Sequence, residues 1–150
     1  MADIWRTRDN RGRKIDEGGW GMFAFEELEV WRLALEYIDL VYALTAKLPE
    51  SEKDNLQSQM RRAATAIALN IAQGSTGQTG AEQARFLGLA LRSLLETVAC
   101  QHLISRRSYL ADAAPLRNAY GKSETLAKKL QARQKALAPE EPRPGDGEEE

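Results

Sequence analysis

Few residues in this chain have the types that do chemistry. Cys100 and His102 could be a nucleophile and its base, a pairing that needs the imidazole within hydrogen-bond reach of the thiol. On a helix, residues two apart point about 200° away from each other and cannot share a proton. Cys100 therefore reads as a small core residue, with no cationic neighbour to lower its pKa, and His102 as a partly exposed helix residue. The loop holding Gly74, Gly77 and Gly80 invites a phosphate-cradle reading, but position 81 is alanine where the nucleotide loop needs lysine, and no strand precedes it. Carboxylates pair at Glu26 and Glu29 and at Glu50 and Asp54, yet helix starts attract acids through the helix dipole alone. No Glu-x-x-His motif accompanies them, as a di-iron bundle site would require. One cysteine and one histidine supply neither a zinc cluster nor an intrachain disulfide within one subunit. The sequence thus predicts no catalytic, metal or cofactor-binding residue, and a protein that is not an enzyme.

What is left is positive charge placed on helices. The doublets Arg61 and Arg62, Arg106 and Arg107, and Lys128 and Lys129, with Arg85, Arg92 and Arg133, form a candidate nucleic-acid-binding band. A groove lined with cations gains affinity for a polyanion by releasing its counterions. Against this stands the plainer reading that charge runs on helices are solvated faces. The charge is unevenly spread: residues 109–138 hold six basic and two acidic residues, residues 25–49 hold two and five, and residues 139–150 hold one and six. The net charge of −1 conceals this gradient.

The elements that must carry these groups are helices. At 150 residues the chain is the size of one domain, able to bury about 68 to 70% of its unfolded surface. Its 43% hydrophobic and 29% charged composition excludes wholesale disorder and a disulfide scaffold. No apolar run approaches the ~20 residues that span a bilayer, so no membrane partner and a cytoplasmic location are expected. Residues 1–24 have five basic residues and no apolar periodicity and read as a flexible basic arm. Residues 139–150, rich in Pro, Gly and Glu, read as a disordered acidic tail.

Between them, residues 25–138 show four amphipathic segments. Leu28, Trp31, Leu35, Ile38 and Tyr42 predict one helical face from about residue 25, with Pro49 ending the segment. Ser51 and Asp54 suggest a weak cap for a second helix carrying Leu56, Met60, Ala64, Ile67 and Ile71; its many alanines make it slim enough to sit at the centre of the contacts. Thr79 and Glu82 form a capping box for a third helix, with Phe86, Leu89, Ala90, Leu94, Thr97, Leu103 and Ile104 on one face and an end near Ser108. Asp112 and Pro115 start a fourth, striped by Leu116, Ala119, Leu126, Leu130 and Leu137. Short loops between four such helices predict an all-α, up-down-up-down antiparallel four-helix bundle. Asn70, in an apolar stretch, is expected to set helix register or cap a neighbouring loop. Arg61 and Arg62 are about 100° apart, so at most one can face the seam between helices, leaving the other for a subunit contact or a phosphate.

The runs Phe25-Glu-Glu-Leu-Glu-Val-Trp31-Arg-Leu-Ala34, Gln59-Met-Arg-Arg-Ala-Ala64-Thr-Ala-Ile67-Ala-Leu-Asn70-Ile-Ala-Gln-Gly74, Phe86-Leu-Gly-Leu-Ala90, Ser93-Leu-Leu-Glu96 and Tyr109-Leu110 resemble four-helix-bundle proteins encoded in intervening sequences of bacterial 23S ribosomal RNA genes. The resemblance spans about residues 25 to 135 and gives Trp31, Asn70 and Gly74 structural roles. It departs at Gln73, Val98 and Ser108, where the family usually has Glu, a nearby Glu and Gly. It implies a ring-shaped homopentamer, and a relationship to the accessory variability determinant of diversity-generating retroelements, which binds nucleic acid and a reverse transcriptase. Two functions follow as expectations. One is a non-catalytic homo-oligomer that binds RNA or DNA through basic helical faces. The other is a ring-shaped scaffold that docks a protein partner such as a reverse transcriptase.

Overall fold

The computed structural model describes residues 22–76 and 79–137; most of the N-terminal arm and all of the acidic tail lie outside the described residues. Four helices make the fold: α1 (Glu29–Thr45), α2 (Ser58–Gly74), α3 (Gly80–Arg106) and α4 (Ala114–Leu137), with no strand among the described residues. Each of α1 and α3 packs against both α2 and α4. Tyr42 and Thr45 of α1 meet Arg61 of α2 and Gln57 just before it, and Glu29 and Glu36 of α1 meet Lys129 and Lys122 of α4. In both pairs the contacts run in opposite order along the two helices. The seam between α2 and α3 is the most extensive in the bundle, and the slim α2 also packs against α1, which puts it in the middle of the contacts as expected, together with the longer α3.

Local chemistry sets each boundary. Ala24–Glu27 is a 3-10 turn, Leu28 is extended, and α1 begins at Glu29 rather than at residue 25. The start of α2 also differs from expectation. In place of a Ser51 cap, a 3-10 turn (Glu50–Glu52) runs into a π turn (Lys53–Gln57), and the Glu52 carboxylate accepts from the Leu56 N–H at 3.3 Å and from the Asn55 amide at 2.9 Å. A carboxylate reaches two donors of the first turn where a serine hydroxyl reaches one. Thr79 Oγ1 accepts from Glu82 N–H and caps α3, and Asp112 Oδ1 accepts from Ala114 N–H at the start of α4.

The buried face of α1 is not the one that spacing suggested. Val30, Leu33, Ala34, Tyr37, Val41, Leu44 and Thr45 are buried, whereas Leu28, Trp31, Leu35 and Ile38 are half-buried and Tyr42 is 44% exposed. The helix carries two apolar stripes, each with helical period, and periodicity alone cannot say which one turns inward. In α2 the expected Leu56, Met60, Ala64, Ile67 and Ile71 are all buried. In α3, Ala90, Leu94, Thr97 and Ile104 are buried as expected, but Phe86 and Leu89 are half-buried and Leu103 is 52% exposed, while Gln101 takes a core position. In α4, Ala119, Leu126 and Leu130 are core, and Leu116 and Leu137 lie at its edge. Gly74 marks the close approach of α2 and α3, since a Cβ there would stand 3.0 Å from that of Phe86.

The end of α3 is a Schellman motif. Ser108 N–H bonds Ser105 C=O at 3.0 Å, Tyr109 N–H bonds Ile104 C=O at 3.4 Å, and Ser108 takes φ 54°. A left-handed backbone costs an L-residue with a Cβ roughly 1–2 kcal/mol, part of which glycine recovers and part of which it loses to unfolded-chain entropy. Ser108→Gly should stabilise the fold by about 0.5–1 kcal/mol in urea denaturation. A lower midpoint would contradict this.

Candidate nucleic-acid interface

A polar chain crosses the core. The Gln101 amide N–H donates to Tyr37 Oη at 2.8 Å, the Tyr37 hydroxyl pairs with Thr97 Oγ1 at 2.7 Å, and the Thr97 hydroxyl donates to Leu94 C=O at 2.6 Å. Tyr37 is fully buried, and that burial pushes its hydroxyl pKa upward, opposed by the two side-chain hydrogen bonds. This set ties α1 to the diagonally placed α3 and selects the inward stripe of α1, because Tyr37 finds partners there. Spacing did not reveal it: the signal would have been a tyrosine, a threonine and a glutamine at helical positions on two separate segments. Gln101 Oε1 and Trp31 Nε1 are buried with no hydrogen-bond partner among the described residues. Trp31 packs edge-on against Phe25 at 4.7 Å.

The cations separate into committed and free groups. Arg61 is half-buried in the seam: its Nε donates to Thr45 Oγ1 at 2.8 Å, one terminal nitrogen donates to Tyr42 C=O at 3.3 Å, and the guanidinium lies 4.4 Å from the centre of the Tyr42 ring. It reinforces the C-terminal end of α1, where the dipole favours a cation and where Tyr42 C=O also accepts from the Ala46 N–H. Lys129 pairs with Glu29 at 3.4 Å, and Lys122 with Glu36. The acids of α1 thus neutralise the adjoining side of α4. Arg62, Arg85, Arg92, Arg106, Arg107, Lys128 and Arg133 are exposed and form no ion pair among the described residues, as do Arg117 and Lys135, which the sequence reading passed over. Arg85 lies over its neighbour Phe86 at 4.8 Å.

Position also decides the other singled-out residues. Asn70 is half-buried and its amide donates to Ala66 C=O of its own helix at 2.9 Å. The expected register or loop-capping role is replaced by this bond, since a short amide reaches the carbonyl one turn back more readily than a second helix. Cys100 is buried, with its thiol pKa raised first by burial and then by Glu96. His102 is exposed, its ring against that of Tyr120 at 6.4 Å between centres. No group of His, Cys, Asp and Glu among the described residues is arranged to hold a metal ion, and no described helix is long and apolar enough to cross a membrane.

Residues 26–132 match the model of the 23S rRNA-intervening sequence protein family. The chain belongs to that family. No curated protein matches it. Among solved structures, a protein of unknown function from the S23 ribosomal protein family of Bacteroides thetaiotaomicron VPI-5482 aligns with a TM-score of 0.64 and 24% identity, over 71% of this chain and 98% of that one. That likeness shows a shared fold.

In this intervening sequence protein one end of the bundle is tied by a second polar contact. Tyr109 Oη donates to Glu52 Oε1 at 2.8 Å, joining the residue after the α3 cap to the turn before α2. The Tyr109 bond, aided by the Leu56 and Asn55 donors and by Arg107, holds the Glu52 carboxyl below its ordinary pKa, while the same bond raises that of Tyr109.

Two outcomes follow. Arg61→Ala should cost about 1–2 kcal/mol in urea denaturation, because it removes two hydrogen bonds and the contact with the Tyr42 ring, whereas Arg62→Ala should stay within about 0.5 kcal/mol; equal effects would contradict the division. A carboxyl with a depressed folded pKa stabilises above its unfolded pKa, and that stability is lost as pH falls through the folded value. The Tm gap between wild type and Tyr109→Phe should therefore be constant near neutrality and close in acid, below the ordinary carboxylate range. A gap that widens in acid would contradict the assignment.

Proposed function

We propose that this chain is a non-catalytic, self-associating four-helix bundle that binds nucleic acid, RNA or DNA, through the exposed cations of α3 and α4. The observation that carries the reading is the set of unpaired cations on α3 and α4, in a bundle that also exposes apolar side chains. On the α1–α2 half, Leu69 of α2 is 56% exposed and Tyr42 of α1 is 44% exposed, while Trp31 and Ile38 pack against the core. On the α3–α4 side stand arginines and lysines with no carboxylate partner. Apolar surface of the first kind favours burial against a second copy, and unpaired cations of the second kind favour phosphate. Assembly into a ring, five-membered by resemblance, would multiply the positive sides on one particle and strengthen its field for polyanions.

A second reading uses the same α1–α2 side as the docking face for a protein partner, such as a reverse transcriptase, and makes the protein a scaffold. Exposed Leu69 is the observation that favours it.

Light scattering of the purified chain should give a multiple of 16.7 kDa that falls on Leu69→Glu. With about four phosphates neutralised, affinity for a structured RNA should drop roughly 150-fold between 50 and 200 mM salt. Salt-independent or absent binding refutes the nucleic-acid function. A stoichiometric protein partner that co-purifies with the chain, and is lost in Leu69→Glu, decides for the scaffold.

A further inference from the structure

The free cations are not scattered over α3 and α4. Arg85, Arg92 and Arg106 occupy one line of seven-residue spacing along the exposed side of α3, with Ala99 at the intervening position. A straight helix falls about 20° short of two turns per heptad, so this line rotates steadily along α3. By Arg106 it has moved toward the side from which His102 meets Tyr120 of α4. On α4, Arg117, Glu124, Lys128 and Gln131 precede or follow Tyr120 by three, four, eight and eleven residues, which places them on the same flank as that ring. Register between the helices is set by Gly80 against Leu137, Ala84 against Gln134 and His102 against Tyr120. In that register Arg92 lies level with Lys128, and Arg106 with Arg117.

Two pairs of cations therefore bracket a central zone about 21 Å long at 1.5 Å per residue. The zone between them is not basic. It holds Leu95, 69% exposed, Ala99 and the Tyr120 ring, 46% exposed, with the His102 ring perpendicular to it at 6.4 Å between centres. Glu124 is the acid on the α4 flank, and Glu96 stands one turn after Arg92 on α3. A duplex offers its phosphates but no free base face for such a ring, because paired bases keep their faces stacked inside the helix. An exposed aromatic ring between cations fits unpaired bases, whose faces are free to stack.

We infer that the outer side of the α3–α4 pair is a platform for a single polynucleotide strand, with bases stacking on Tyr120 and phosphates held by Arg92, Lys128, Arg106 and Arg117. It rests on the nucleic-acid function proposed above and adds the form of the ligand and the residue that reads it. The span suits a segment at the low end of the roughly four to sixteen nucleotides that single-strand-binding modules cover. Tyr120 acts through its face, so its hydroxyl is dispensable. Glu124 opposes the phosphates and limits affinity.

The test is fluorescence anisotropy of a labelled twelve-nucleotide oligoriboadenylate, free or paired with its complement, titrated with the full chain. The single strand should bind about tenfold or more tighter than the duplex. Tyr120→Ala should weaken strand binding about tenfold without changing its salt slope, Tyr120→Phe should keep wild-type affinity, and Glu124→Gln should tighten binding. Arg92→Gln with Lys128→Gln should reduce the salt slope by about 1.4. Equal thermal melting of wild type and Tyr120→Ala confirms that the exposed substitution leaves the fold intact. If Tyr120→Ala binds like wild type while the charge variants weaken, the platform is overturned and nucleic-acid binding stands. The same holds if only Arg62→Gln with Arg133→Gln weakens binding, since those residues lie on α2 and on the α1 side of α4. Absence of binding to strand and duplex alike overturns both.

Discussion

The hydrogen-bonded line from Gln101 through Tyr37 to Thr97 is the interaction on which the rest of the molecule turns. α1 has two apolar stripes of nearly equal merit, and burial of apolar area alone would leave their choice open. A tyrosine hydroxyl inside a low-dielectric core costs several kcal/mol unless it is bonded, and only one rotation of α1 brings it to the partners on α3. Once that rotation is chosen, Val30, Leu33, Val41 and Leu44 are committed to the core, and Trp31, Leu35, Ile38 and Tyr42 are committed to the outer side.

That single choice propagates to the surface. With Tyr37 inward, Glu29 and Glu36 face α4 and absorb Lys129 and Lys122. Arg61 fills the seam between α1 and α2 and closes the end of α1. The cations left over belong mainly to α3 and the far flank of α4. All four helices carry basic residues, and this packing leaves most of the unpaired ones on α3 and α4, beside the exposed Leu95, Leu103 and Tyr120.

The buried Cys100 and the exposed His102 show how little sequence proximity means on a helix: two residues apart, one lies in the core and the other against an aromatic ring in solvent. The family match and the shared fold with the S23 neighbour agree with a helical bundle and leave the ligand to be argued from side chains.

The four segments, their loops, the Thr79 and Asp112 caps and the buried stripe of α2 were legible in the linear sequence, because capping and the 3.6-residue period are local properties. Leu126 and Leu130 were legible for the same reason. Which stripe of α1 faces inward, the burial of Gln101 in place of Leu103, and the division of Arg61 from Arg62 were decided only in three dimensions. Each depends on a partner sixteen to sixty-four residues away along the chain, and no local pattern encodes the desolvation cost that such a partner removes. The sequence alone determined which segments would carry the cations; the packing of α1 against α2 and α4 determined which of them are held in hydrogen bonds and ion pairs and which stay exposed.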